Sequence, residues 1–274
     1  MGLECFEASG CSAPSRAVTA DFPLQTFDTL RAPLREVAVA TPSTRLIRLG
    51  LSGAPFTFDA GQAALIGIAD RPERVPYSIA SAPAETAASG LLDFLIKVEP
   101  SGRWGHQFDR LEPGMTIGVR GPFGAFLFPA RPRESRFLFI AGGTGIAPIR
   151  AMIRQALAGG QTGAMKLLYS AKTTDDFAYL PELGEMAIEH GLDLRLYVTR
   201  GSADGGQMEM TATRLGVDLS KTGRGRVGLA QLAPLVDDPE TLCFVCGPES
   251  MVADVPPMLQ QLGIDRSRIK VEEW

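Results

Sequence analysis

The stretch Phe137–Gly160, FLFIAGGTGIAPIRAMIRQALAGG, constrains the fold more than any other part of the chain. Phe137 to Ile140 is an apolar run of strand length, rich in aromatic and β-branched residues. Gly142, Gly143 and Gly145 then allow a tight turn and let a ligand approach bare backbone. Pro148 suits the first turn of a helix, where a missing N–H removes no bond. Ile149, Met152, Ile153, Ala156 and Leu157 follow at helical spacing, and Gly159 marks a stop. Such a turn aims free N–H groups and the positive helix end at whatever lies above the strand, which suits a phosphate or pyrophosphate. The usual dinucleotide pattern is Gly-x-Gly-x-x-Gly; here Gly143-Thr144-Gly145-Ile146-Ala147-Pro148 ends in proline, a variant. On this stretch alone, glycines kept for geometry only and glycines kept for binding both stand.

With 274 residues, the chain has room for two ordinary domains. Its 27 basic and 31 acidic side chains are well mixed, which argues against nucleic acid as a partner. No apolar run approaches the roughly 20 residues of a membrane span. The opening MGLECFEASG carries acids and no apolar segment, unlike a secretory signal. Four cysteines do not make a disulfide framework in this length. Cys243 and Cys246 form a C-x-x-C inside the apolar run TLCFVC, where alternation points their side chains differently from a metal knuckle. His106 and His190 show no ligand spacing, so no metal and no iron–sulfur cluster is expected. A reducing, cytoplasmic compartment fits best.

Residues 1–32 read as a leader. From there REVAVAT, TRLIRLGL, QAALIGIA, PYSIAS, LLDFLIKV and MTIGVR form six short strand-like runs. Turn chemistry separates them, including Thr41-Pro42-Ser43, Asp59-Ala60-Gly61 and Ala82-Pro83. The spacing predicts a small antiparallel barrel over 33–131. Within it, SGRWGHQFDRL is expected to open a short helix near Gly105. After the hinge ARPRESR the texture becomes alternating strand and helix, with a loose section through Gly223. Alternation over 132–274 predicts a doubly wound parallel sheet with helices on both faces.

Four stretches then line up: Tyr77-Ser78-Ile79-Ala80-Ser81, Gly121-Pro122-Phe123-Gly124-Ala125-Phe126, the 143–148 turn, and Cys246-Gly247-Pro248-Glu249-Ser250-Met251. Together with an aromatic C-terminus, this order resembles the ferredoxin–NADP⁺ reductase superfamily of flavin- and nicotinamide-dependent oxidoreductases. The resemblance covers roughly Leu34 to Trp274 and implies a flavin-binding antiparallel barrel followed by a nucleotide-binding α/β domain.

By that resemblance, Tyr77 packs on the flavin ring, Ser78 bonds near flavin N5, and Ile79 and Lys97 lie along the cofactor. The family usually carries an arginine two residues before the tyrosine to grip the flavin phosphates; here that position is Val75, with Arg74 displaced to the other face. The second phosphate element matches Gly102-Arg103-Trp104-Gly105 and lacks the usual hydroxyl. FAD is the implied flavin, with FMN or weakly held FAD as the alternative. The resemblance seats the nicotinamide nucleotide on Gly143, Thr144 and Gly145, with Cys246, Gly247, Pro248 and Met251 closing the other side. Ser78, Cys246 and Glu272 form the implied catalytic network, and Trp274 stacks on the flavin. Thr199-Arg200 takes the place where relatives hold a 2′-phosphate, favouring NADPH over NADH. The implied acceptor is a ferredoxin, a flavodoxin, an oxygenase component or a small molecule, served by a monomer or weak dimer. A flavin reductase using loosely bound flavin, and an electron-transfer subunit without nicotinamide chemistry, are the other readings.

Overall fold

The computed structural model describes residues 29–98, 110–161, 163–200, 213 and 221–273, which form two six-stranded sheets. The first is built from β1 (Leu30–Thr41), β2 (Thr44–Gly50), β3 (Ala63–Ile68), β4 (Val75–Ser78), β5 (Leu91–Lys97) and β6 (Thr116–Phe123). Its order is β4-β3-β6-β1-β2-β5, with every pairing antiparallel. A bridge between Ile79 and Phe94 joins the two ends, and the Ala80 N–H donates to the Asp93 carbonyl at 2.8 Å. The sheet thereby closes into a barrel without long free edges. Leu34, Ile47, Ile66, Ile79, Phe94 and Ile117 fill it.

β5 explains its own continuous apolar sequence. Leu92, Phe94 and Ile96 point into the barrel, while Leu95 packs with the core of the second sheet. A strand covered on both faces shows no alternation.

Two details differ from the sequence expectation. β1 starts at Leu30, and residues Leu30–Pro33 pair with β6. Ala82-Pro83, expected as a turn, opens helix α1 (Pro83–Ser89). Proline stands in the first turn, the Glu85 carboxylate accepts the Ala82 N–H at 2.8 Å, and Gly90 ends the helix at φ 69°.

The second sheet contains β7 (Arg136–Gly142), β8 (Ala164–Ala171), β9 (Asp193–Val198), β10 (Thr222–Arg224), β11 (Leu242–Gly247) and β12 (Ile269–Glu273). Its order is β10-β9-β8-β7-β11-β12, all parallel. β10 falls in the section expected to be loose. Its sequence TGR has no apolar pattern; a Cβ on Gly223 would lie 2.4 Å from the Tyr197 ring, so only glycine lets it pack beside β9. Helices α2 (Ile146–Ala158) and α3 (Leu180–His190) cover one face; α4 (Leu229–Leu232) and α5 (Glu249–Gln261) cover the other. Alternation along β7 and β11 sends Phe139 and Cys246 to the first face, and Leu138 and Cys243 to the second. The barrel docks on the first face, where Phe128 meets Phe137 at 5.3 Å and Phe126 meets Phe244 edge-on at 5.8 Å between ring centroids.

The expected helix near Gly105, Trp274 and most of the leader lie outside the described residues. Among those described, no helix is long and apolar enough to cross a membrane.

Candidate functional site

Strand order reverses at β7, which has β8 on one side and β11 on the other. Connections leaving β7 and β11 in opposite directions open a crevice beyond the carboxyl ends of these strands, where open α/β sheets bind ligands. The glycine turn sits in this crevice. β7 ends at Gly142, residues Gly143–Gly145 make a 3₁₀ turn, and α2 begins at Ile146. No side chain caps either helix start, the place where first-turn amides have no intrahelical acceptor and an anion can be met.

The glycines have different jobs. Gly143 takes φ 56°, a left-handed conformation, with nothing within 4 Å of where a Cβ would stand. At Gly145 a Cβ would lie 2.3 Å from the Cys246 carbonyl oxygen. Only glycine therefore lets the turn rest against the end of β11. Beneath them, the fully buried Tyr169 donates its hydroxyl to the Gly143 carbonyl at 3.2 Å and accepts the Ala178 N–H at 3.1 Å. That one hydroxyl ties the glycine turn to the loop after β8.

A cleft of about 550 Å³ lies over the turn. Gly143, Thr144, Pro248 and Met251 line one part of it, and Thr41, Ser43, Thr44 and Lys97 contribute from the barrel. Lys172, Thr199, Arg200 and Arg226 also line it. Backbone bonds anchor two of these residues: the Thr199 N–H donates to Ala171 at 2.9 Å and the Arg200 N–H to Lys172 at 2.7 Å. Two acids, Asp176 and Asp254, also reach the lining, and Asp176 is engaged by the Thr173 hydroxyl at 2.8 Å.

A second locality sits beside the cleft. Cys246 and Glu272 are direct partners across β11 and β12. On the barrel, Ser78 faces Ala63, which faces Phe123. The next residue, Gly124 at φ 106°, joins the two groups: its Cβ position lies 3.9 Å from Glu272 Oε1 and 4.0 Å from the Ala63 nitrogen. Ser78, Glu272 and Cys246 are thus brought into one neighbourhood where barrel and sheet meet. Burial, and then the Glu272 charge, push the Cys246 thiol well above its ordinary value. It remains a neutral donor rather than a nucleophile. Burial also pushes the Tyr77 phenol to about 12 and the Cys243 thiol to about 12. Both stay protonated near neutrality.

Two features fit a flavin ring: a half-buried aromatic wall at Tyr77, which rests on the barrel core, and a buried Ser78 beside it. At the expected place of the phosphate grip, residues 74 and 75 contact the barrel itself. Val75 packs on the barrel core. The Arg74 guanidinium donates to the carbonyls of Ile68 at 3.1 Å, Ala69 at 3.2 Å and Glu73 at 2.9 Å, and also to Arg71. These carbonyls hold the guanidinium against the segment that follows β3. Gly102, Arg103, Trp104 and Gly105 lie outside the described residues, as does Trp274.

The Ile79 side chain is fully buried in the barrel core and closes the barrel against Phe94, which leaves its backbone as the part adjoining Ser78. Lys172, Arg226, Tyr169 and Arg150 were not singled out by sequence. Lys172 and Arg226 had a usable signal, since each follows the carboxyl end of a strand.

Comparison with known proteins agrees with this geometry. Residues 31–128 match the family described as oxidoreductase FAD-binding domain, and residues 139–256 match the oxidoreductase NAD-binding domain. Ferredoxin–NADP reductase B of Sorangium cellulosum is 32% identical over 235 residues, covering 81% of this chain and 87% of that protein. The ferredoxin–NAD(P)⁺ reductase component of a Pseudomonas putida naphthalene 1,2-dioxygenase system is 27% identical over 242 residues, covering 87% of this chain and 67% of that one. Among solved structures, an Amycolatopsis cytochrome P450 reductase superposes with a TM-score of 0.75 at 26% identity, covering 93% of this chain and 73% of the other.

Proposed function

We propose the following from one premise: this chain belongs to the ferredoxin–NADP⁺ reductase-like superfamily and is an NAD(P)H-dependent flavoprotein oxidoreductase that uses FAD. Its task is to take reducing equivalents from NADPH and pass them to a redox protein, either a small iron–sulfur or flavin carrier or an oxygenase component. FAD, when bound, would supply the hydride-accepting and one-electron chemistry. The chain itself supplies position, polarity and exclusion of water.

In this reading the amides of Gly143, Thr144 and Gly145 hold the pyrophosphate, with Pro248 and Met251 as the facing wall. Gly247 permits the close approach: a Cβ there would lie 2.8 Å from the Met251 sulfur and 3.2 Å from Gly142. Tyr77 walls the flavin, while Ser78 and the Cys246 thiol serve as neutral donors beside the reacting rings. Glu272 accepts. The packing of Gly145 on the Cys246 carbonyl carries the proposal furthest, because it locks the nucleotide turn to the strand end beside the Ser78–Glu272 neighbourhood. Lys172, Arg200 and Arg226 give the cleft a cationic lining suited to a 2′-phosphate, which supports NADPH. The boundary between the flavin and nucleotide parts falls near residue 131.

The acceptor is tested by NADPH-driven reduction of cytochrome c with purified ferredoxin or flavodoxin present or absent. Reduction that depends on the carrier supports the proposal; reduction only of added free flavin opposes it. The latter outcome would match the hold that the segment following β3 has on Arg74. Gel filtration then separates the two readings: FAD stays with the protein in the first and is lost in the second.

A further inference from the structure

Arg150 lies one turn into α2, the helix that starts at the glycine turn, and its guanidinium is buried. Nε donates to Glu182 Oε2 at 2.7 Å. Nη1 donates to the Ala80 carbonyl at 2.8 Å and to Glu85 Oε2 at 2.9 Å. Nη2 donates to Glu85 Oε1 at 3.2 Å and Glu182 Oε1 at 2.6 Å. The five bonds match the five N–H groups a guanidinium owns. The Tyr179 ring lies against its face, 5.1 Å from the Arg150 Cζ atom to the ring centroid.

The partners come from three places. Ala80 is two residues beyond Ser78, and its own N–H is held by Asp93. Glu85 stands on the barrel helix α1, and Glu182 on α3. Further along α2, Arg154 Nε donates to Glu85 at 2.7 Å and Gln155 Oε1 accepts the Ala84 N–H at 3.2 Å. One helix face thus reads the polypeptide immediately after the Tyr77–Ser81 stretch.

Adhesion between barrel and sheet does not require this network. The Phe126 and Phe128 contacts with Phe137 and Phe244 already bury apolar surface there. A buried ionic cluster is, for adhesion alone, no better than a packed apolar one. What a planar five-bond fork adds is a single permitted orientation. We infer that Arg150 is a positioning residue: it sets the register between the flavin-side stretch 77–81 and the helix that begins at the nucleotide turn. This rests on the placement of the two cofactors given above. Hydride transfer is sensitive to such register, since reacting atoms must meet at about 3–3.5 Å and a misplacement of about 1 Å can slow reaction about a hundredfold.

The test uses Arg150→Met and the milder Glu182→Gln in the full chain. Val39 and Ile188 are exposed, one on the barrel and one on α3. Each is replaced by cysteine and spin-labelled, with Cys5 and Cys11 changed to serine, and the distance distribution is read by pulsed electron resonance. Separately, the affinity for NADP⁺ and the rate of flavin reduction are measured on FAD-loaded protein. A positioning role gives a broadened distribution and reduction slowed about tenfold or more, with NADP⁺ affinity held within about threefold. A purely structural role lowers thermal stability while distribution and rate stay unchanged, which overturns the inference. Should Arg150→Met not fold, Glu182→Gln decides by the same criteria. If NADPH fails to reduce even the unmutated protein, the functional reading falls; the distance distribution still supports the inference if it broadens and overturns it if it does not.

Discussion

Replacing Tyr169 by phenylalanine removes one oxygen and leaves the ring in place. In the structure that hydroxyl donates to the Gly143 carbonyl and accepts the Ala178 N–H, and the residue is fully buried. The substitution leaves the buried Ala178 amide without its partner, a loss of about 1–3 kcal/mol. For a chain of this size each kcal/mol lowers Tm by about 2–4 °C. Gly143 is also freed to rotate its carbonyl, and the turn must be re-ordered when nucleotide binds. If about half of the loss falls on the bound state, NADP⁺ affinity drops roughly three- to tenfold. Calorimetric titration with NADP⁺ and thermal unfolding measure the two parts. Tyr179→Phe is the control, because among the described residues the buried Tyr179 hydroxyl has no hydrogen-bond partner. Removing it is expected to leave stability unchanged or raised. Equal behaviour of the two variants, or an unaltered Tyr169→Phe protein, would refute the reasoning.

Three further outcomes are expected. Arg200→Ala and Arg226→Ala each remove a cation from the lining of the cleft, and each should raise KM for NADPH by roughly ten- to a hundredfold, with about 1.5–3 kcal/mol per charged bond at stake, while KM for NADH stays the same. Gly145→Ala forces a Cβ to within 2.3 Å of the Cys246 carbonyl; stability should fall by about 1–3 kcal/mol together with nucleotide affinity, read by denaturant unfolding and titration. Burial pushes the Glu85 carboxyl up, but the Arg150 and Arg154 guanidiniums and the Ala82 amide hold it below its ordinary value. Its stabilising contribution is therefore present above the unfolded-state value of about 4 and lost as pH falls through the lower folded value. Unfolding curves of the unmutated protein and Glu85→Gln should differ most near neutral pH and converge in acid.

Sequence patterns exposed the parts of this molecule that depend on neighbours close in the chain. The run Phe137–Ile140, the turn at 142–145 and the periodicity to Leu157 are local, and they specify β7 and α2 directly. Alternation in TLCFVC separates Cys243 from Cys246, and the structure places them in cores on opposite faces of the sheet. α1 was missed because Ala82-Pro83 has two meanings, and the helical one rests on Glu85 reaching back to the Ala82 amide. β10 has only three residues and exists because β9 offers it an edge. The partners of Arg150 lie 70, 65 and 32 residues away, so no periodicity marks them. Tyr169 reads simply as an apolar strand residue; its hydroxyl matters only once the turn folds over it. The Arg74 side chain shows the converse, a cation beside the expected position that carbonyls hold against the segment following β3.

The most direct test of hydride passage across this cleft is anaerobic stopped-flow mixing of the FAD-loaded protein with NADPH. The yellow absorbance of bound flavin should bleach in a fast, saturable phase, faster with NADPH than with NADH, and the flavin should remain with the protein. Tight binding of both FAD and NADP⁺ with no bleaching on mixing would contradict the assignment.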